Sequence, residues 1–299
     1  MAGLLSEPGD PRLPLDIERA VFECTAVLYP TSVPVCMLVA VRVKEWLEPI
    51  LYRVLYCCTA PTDVDTINGF RIIPMDVLLE LIRTKPPHFF RRTVRHLFLA
   101  DGNSFQTESI LAACNHVTNL FEYFTPNPHP HTFDALQHLR RLTIGLSYLL
   151  KRFPLDTDPP PLGVFATLTH LEVMDTEWDL AELGHRLPLM SNLTHLALNS
   201  FLNDSELYDT LRSQTNLQCI VGLVQRPITT TTTEIHPFAD DDRFVCIHQV
   251  TSYRMDWIIG AHTGYDYWAI ADAFIAARRA SKVDASRYII SDTDDSWRT

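Results

Sequence analysis

Leu168-Thr169-His170-Leu171-Glu172-Val173 and Leu193-Thr194-His195-Leu196-Ala197-Leu198 are near copies of one another. Both fit the frame apolar-x-x-apolar-x-apolar. The frame recurs at Val94-x-x-Leu97-x-Leu99, Val117-x-x-Leu120, Leu139-x-x-Leu142-x-Ile144 and Leu217-x-x-Ile220. Its third slot holds Glu122 in the second copy and Gly222, next to Leu223, in the last. The central residues Leu97, Leu120, Leu142, Leu171, Leu196 and Ile220 stand 23, 22, 29, 25 and 24 residues apart. A period of this length marks an array whose units stack, because one unit alone cannot bury its apolar side.

The last two apolar positions of each copy are two residues apart, the period of a strand with one buried face. Between the copies lie stretches with helical spacing: Ile110, Leu111 and Cys114; Leu180, Leu183, Leu187 and Met190; Leu207 and Leu211 behind Asp204 or Ser205. The expected unit is strand, loop, helix. The expected architecture is an α/β solenoid with parallel strands inside and helices outside. Residues 90–225 resemble the leucine-rich-repeat family on these motifs. The family's asparagine or cysteine after the last strand leucine is replaced by Gly102, Ser147, Thr176 and Phe201, so the resemblance implies an irregular solenoid. A generic α/β domain with recurring strands is the competing architecture, and six copies in register argue against it.

Upstream, residues 1–11 read as a loose tail. Ile17, Ala20, Val21, Cys24, Val27 and Leu28 then share a helix face that Pro30 ends. Pro14 and Asp16 suit the helix start. Ser32 and Pro34 open a second helical stretch, expected to run from Val35 to Tyr56 with a kink at Pro49. Trp46, Leu47, Ile50, Leu51 and Val54 form its packed stripe. Leu13-Pro14, Asp16-Ile17, Val21-Phe22, Leu38-Val39 and Val43-Lys44-x-Trp46 resemble the F-box over residues 12–56. That resemblance implies a three-helix module docking on the Skp-family adaptor of a cullin ubiquitin ligase through Leu13, Pro14, Ile17, Leu38, Val39 and Trp46. Pro30-Thr31-Ser32-Val33-Pro34 departs from the family's linker, and a plain helical cap is the alternative. The whole arrangement resembles the F-box/leucine-rich-repeat-like family of mushroom-forming fungi. The function it implies is substrate recognition in an SCF-type ubiquitin ligase.

Residues 57–225 form the expected solenoid, entered through the helical stretch Met75–Arg83. Prolines at 154 and 159–161 place a loop in the longest step. Residues 226–242, with threonines at 229–233, read as a loop. Residues 243–290 read as a terminal cap: a strand through Phe244, Cys246 and His248, then a helix over Tyr265–Ala280. Residues 291–299 read as a frayed polar tail.

The chain has 299 residues, 46% hydrophobic and 20% charged, with a formal net charge of −11. That size supports a sizeable core. The negative balance and scattered basic residues argue against nucleic acid or an anionic membrane as partner. The seven cysteines contain no C-x-x-C, so their spacing suits neither a zinc site nor a disulfide framework. The start lacks the features of a signal peptide and no apolar run reaches membrane-spanning length, so the expected location is the cytoplasm or nucleus.

No catalytic or phosphate-binding motif occurs, so the expectation is a non-enzymatic protein without cofactor. His129-Pro130-His131 reads as a loop rather than a metal site. His170 and His195 occupy equivalent strand positions, pointing away from the leucines and lying close together on the concave sheet. Glu122 and Glu172 are expected on that same face. These four are the expected contacts for a client protein, with a pH-sensitive contact as a variant of that reading. A stand-alone scaffold and a hydrolase with an unseen site are the rival functions.

Overall fold

The computed structural model describes residues 13–59, 66–67, 69–123, 133–152, 162–174, 180–199, 205–224 and 237–298. The N-terminal tail, His129-Pro130-His131, the proline-rich stretch at 153–161, the Thr176 and Phe201 slots and the threonine run lie outside them. The chain divides into two compact units, Met1–Arg53 and Val54–Thr299.

In the first unit, α1 (Leu15–Leu28) starts directly after Pro14, with Asp16 and Glu18 in its first turn. Pro30–Ser32 form a 3₁₀ turn and Val33–Cys36 the single-turn α2. The chain then breaks before α3 (Val41–Leu51), which contains Pro49 near its end and closes soon after. Ala26, Val33, Val43 and Leu47 form the core, and Phe22, Trp46 and Ile50 pack against it. Arg42 donates to both oxygens of Glu18, tying α3 to α1.

The expected helix through Tyr56 is not formed. Val54–Cys58 is a strand, β1, and belongs to the second unit. Its run of apolar side chains is buried on both faces, the signature of a central parallel strand rather than a helix stripe. β2 (Thr66–Ile67) and β3 (Phe70–Pro74) follow, then α4 (Met75–Thr84) and α5 (Phe89–Thr93). β4 (His96–Ala100), α6 (Ser104–Ala113), β5 (Asn119–Tyr123), β6 (Arg141–Gly145), α7 (Leu146–Arg152) and α8 (Leu162–Phe165) come next. They lead to β7 (His170–Met174), α9 (Leu180–Arg186), β8 (His195–Leu198), α10 (Ser205–Ser213) and β9 (Cys219–Val224). β10 (Phe244–His248), α11 (Tyr253–Thr263), α12 (Tyr267–Arg279) and β11 (Ile289–Ser291) complete the unit.

These strands form one sheet of order β11-β10-β9-β8-β7-β6-β5-β4-β1-β3-β2, parallel except for the β2–β3 pair. All six repeats found in the sequence are strands, each paired with its sequence neighbour. One register row runs Leu55, Leu97, Leu120, Leu142, Leu171, Leu196, Ile220, Phe244. Every member is buried. The architecture is a large, mostly parallel α/β sheet, compatible with the expected solenoid.

Threonines help to secure the stacking, beside Asn192 and Asn216, whose side-chain amides donate to the carbonyls of Ala166 and Ser191 about one repeat back. Thr118, Thr169 and Thr194 immediately precede β5, β7 and β8. Their hydroxyls donate to the carbonyls of Arg95, Arg140 and Thr169, one repeat back. Their amides donate to the same three carbonyls. At the first family slot, Gly102 serves another purpose. A Cβ there would lie 2.7 Å from the Met75 sulfur and 2.8 Å from Thr107 Oγ1, so any larger residue would push the Met75 side chain of α4 and the Thr107 side chain of α6 aside. Asn103 and Gln106 form a capping box at the start of α6.

The C-terminal segment departs most from expectation. β10 and β11 extend the sheet as a cap would. α11, not foreseen, and α12 instead lie on the sheet face opposite the leucines. Trp257, Ile258 and Ala261 of α11 pack on Tyr56, Phe98 and Phe121. Tyr267, Trp268, Ala271 and Phe274 of α12 pack on Ala197, Val221, Val245 and Ile247. The tail is docked rather than frayed: Trp297 is buried edge-on to Phe274, and Asp292 accepts from the amides of Val250 and Thr251.

Candidate functional site

The covered face changes character along the sheet. One row of it reads Tyr56, Phe98, Phe121, Thr143, Glu172, Ala197, Val221, Val245. Its ends are apolar and its centre is polar. The row beside it holds Asn119, Arg141, His170 and His195 at the same central strands. The helices match this change. Where the strands turn polar, α11 supplies Asp256 and the α11–α12 junction supplies Asp266 and Tyr267.

The result is a buried polar seam. Glu172 Oε2 accepts from Thr143 Oγ1 at 2.9 Å and from the Tyr267 hydroxyl at 3.0 Å. Arg141 Nη1 lies 2.8 Å from Asp266 Oδ2, whose other oxygen caps α12 by accepting from the Ala269 amide. Asp256 Oδ1 accepts from the Tyr267 amide at 3.1 Å. A Cβ on Gly260 would sit 2.6 Å from the Asp266 Cβ, so glycine is what lets α11 approach this carboxylate.

Three carboxyl groups meet here, one of them paired with Arg141, and burial penalises their charged forms. Burial, aided by the charges of Asp266 and Glu172, pushes Asp256 up to about 8. Burial pushes Glu172 up to about 6 against its hydrogen bonds from Thr143 and Tyr267. Asp266 is also raised by burial, with Arg141 opposing. Burial, then the neighbouring His195 and Arg141, takes His170 down to about 2, so its ring is neutral. The free volume in the seam is about 20 Å³, room for roughly one water. The seam is a polar clasp between sheet and helices, with no space for an organic substrate.

The chain matches no protein-family model and no curated protein.

The four expected client contacts stand as follows. His170 and His195 do lie together, stacked at 4.0 Å with Trp268 edge-on to both rings. Glu172 and His195 are buried under the C-terminal helices rather than open to a client. Glu122 is on the other face. It sits in the row of Leu99, Ile144 and Val173 and is buried. The frame itself places it there, since the third slot points with the leucines. The expectation of a shared client face is therefore corrected.

Of the expected adaptor contacts, Leu13, Pro14, Ile17, Leu38 and Val39 are exposed, Leu38 at 85% and Val39 at 65%. Val35 and Val41 flank them, also exposed. Trp46 is the exception: it packs against the core of its own module. Sequence reading missed Asp256, Asp266, Tyr267, Trp268 and Asp272. Only Asp266, an N-cap residue type at the start of the 265–280 helix pattern, carried a usable signal.

Proposed function

We propose that this protein is a non-enzymatic recognition subunit whose N-terminal module docks on a Skp-family adaptor, serving an SCF-type ubiquitin ligase. The observation that carries this is the apolar exposure of the first unit. Leu13, Leu15, Ile17, Val21, Leu28, Val35, Leu38, Val39 and Val41 all face solvent. So many exposed apolar side chains on one small helical unit suit a partner site. The client meets other surfaces than the strand face that α11 and α12 cover.

The test is size-exclusion and pull-down of the full chain with a Skp-type adaptor, beside a Leu38→Asp/Val39→Asp variant. The expected result is a stoichiometric complex weakened at least ~10-fold by the double substitution, about 1.4 kcal/mol. Absence of a complex at micromolar concentration removes the ubiquitin-ligase role. The stand-alone scaffold is the second reading, favoured by the Pro30–Pro34 departure that turns the module's linker into a 3₁₀ turn and a single helical turn.

A further inference from the structure

Outside the carboxylate seam, three metal-ligating side chains from three elements converge. His195 on β8 and Cys219 on β9 are register partners on adjacent strands. Asp272 of α12 reaches down to them, with its Oδ1 3.0 Å from His195 Nε2. An imidazole nitrogen, the Cys219 sulfur and a carboxylate oxygen of Asp272 all lie within 4.8 Å of one another. Around one tetrahedral zinc ion such donors stand roughly 3.3–3.8 Å apart. The exposed Asp272 side chain is free to make that adjustment.

Polar groups flank both nitrogens of His195. Thr194 Oγ1, which also reaches the Thr169 carbonyl, meets Nδ1 at 2.7 Å, and either atom can donate there, depending on the ring's tautomer. Nε2 faces the Asp272 carboxylate oxygen at 3.0 Å. An ion bound between them takes the place of any proton that Nε2 and Oδ1 share, and the ring then carries its proton on Nδ1, donated to Thr194. The ring is also held in place, stacked on His170 with 6° between planes and edged by Trp268. A histidine held through its far nitrogen, with the near one turned to the ion, is how proteins present a metal ligand.

We propose that His195, Cys219 and Asp272 bind one borderline divalent transition-metal ion of the zinc class, with a fourth position left for water. The nitrogen, sulfur and oxygen donor set suits zinc over calcium or magnesium, which take oxygen alone. Binding replaces the Cys219 thiol proton, which leaves to solvent, so the ion is bound as a thiolate complex.

The experiment titrates metal-free full-length protein with Co²⁺ and with Zn²⁺. One equivalent of Co²⁺ is expected to give a thiolate-to-metal charge-transfer band that Zn²⁺ abolishes by competition. Cys219→Ser is expected to lose the band. Asp272→Asn, a change at an exposed position that spares the fold, is expected to weaken binding at least 10-fold. Circular dichroism checks that each variant is folded. Absence of saturable binding overturns the proposal. A titration unchanged in Asp272→Asn also overturns it, whatever the fate of Cys219→Ser.

Discussion

At the scale of single residues, the carboxyl of Asp256 governs how the protein responds to pH. In the unfolded chain it loses its proton near pH 4, whereas the folded protein holds it until about 8. Between those values the folded state carries a proton that the unfolded state lacks, so stability falls as pH rises through the window. His170 acts in the opposite sense: its folded value near 2 lies below the usual 6.5, so stability falls as pH drops below about 6.5. Asp256→Asn keeps the acceptor for the Tyr267 amide and removes the titration. Its stability relative to wild type is expected to grow by roughly 1–3 kcal/mol between pH 4 and pH 8, read by urea unfolding at each pH. Gly260→Ala is expected to cost about 1–3 kcal/mol despite alanine's better helix propensity, because the added methyl meets Asp266. A neutral result would mean that the two helices separate freely. The pairing of His170 with His195 was legible because the repeat frame puts them in register. Their acidic partner was not, since Asp272 is 77 residues from His195 along the chain and belongs to no repeat.

At the scale of elements, the threonine ladder decides how repeats join. Thr169→Val keeps shape and removes one donor to the preceding repeat, so a loss of about 1 kcal/mol is expected in thermal or chemical unfolding. The ladder was visible in the sequence as Thr118, Thr169 and Thr194 at one offset from the frame, but its role needed the carbonyls it meets. β4 to β9 were legible because a two-residue period and a repeat length coincide. β1 was not: Val54–Cys58 is apolar on both faces, and a short apolar run after a helix carries no periodicity that separates the two states. α11 was missed although Gly264, at φ +77°, is the left-handed residue that closes it. Its aromatic, polar and small residues are spread round the helix because it packs on the sheet and on Asp266 at once.

For the whole molecule, the two units of the chain carry different burdens. Deleting residues 1–53 is expected to leave 54–299 folded, with cooperative thermal unfolding preserved, because Val54–Thr299 is compact in itself. Deleting 251–299 is expected to yield an aggregating product, seen by light scattering, since it strips Phe98, Phe121, Val221 and Val245 of their cover. Among the described residues no helix is long and apolar enough to cross a membrane. The covering of the sheet was partly written in the sequence. Outward positions of a client-binding repeat array are polar, whereas Phe98, Phe121, Ala197 and Val221 are not. Reading the leucines alone hid this.

Synthesis order gives the arrangement of α11 and α12 a further consequence. Both helices emerge after every strand they shield, from β1 to β10. A growing chain therefore holds an aligned parallel sheet with one greasy side bare until its final helices arrive. That interval is when a holdase chaperone finds its substrate, and when neighbouring nascent copies on one message are most prone to stick together.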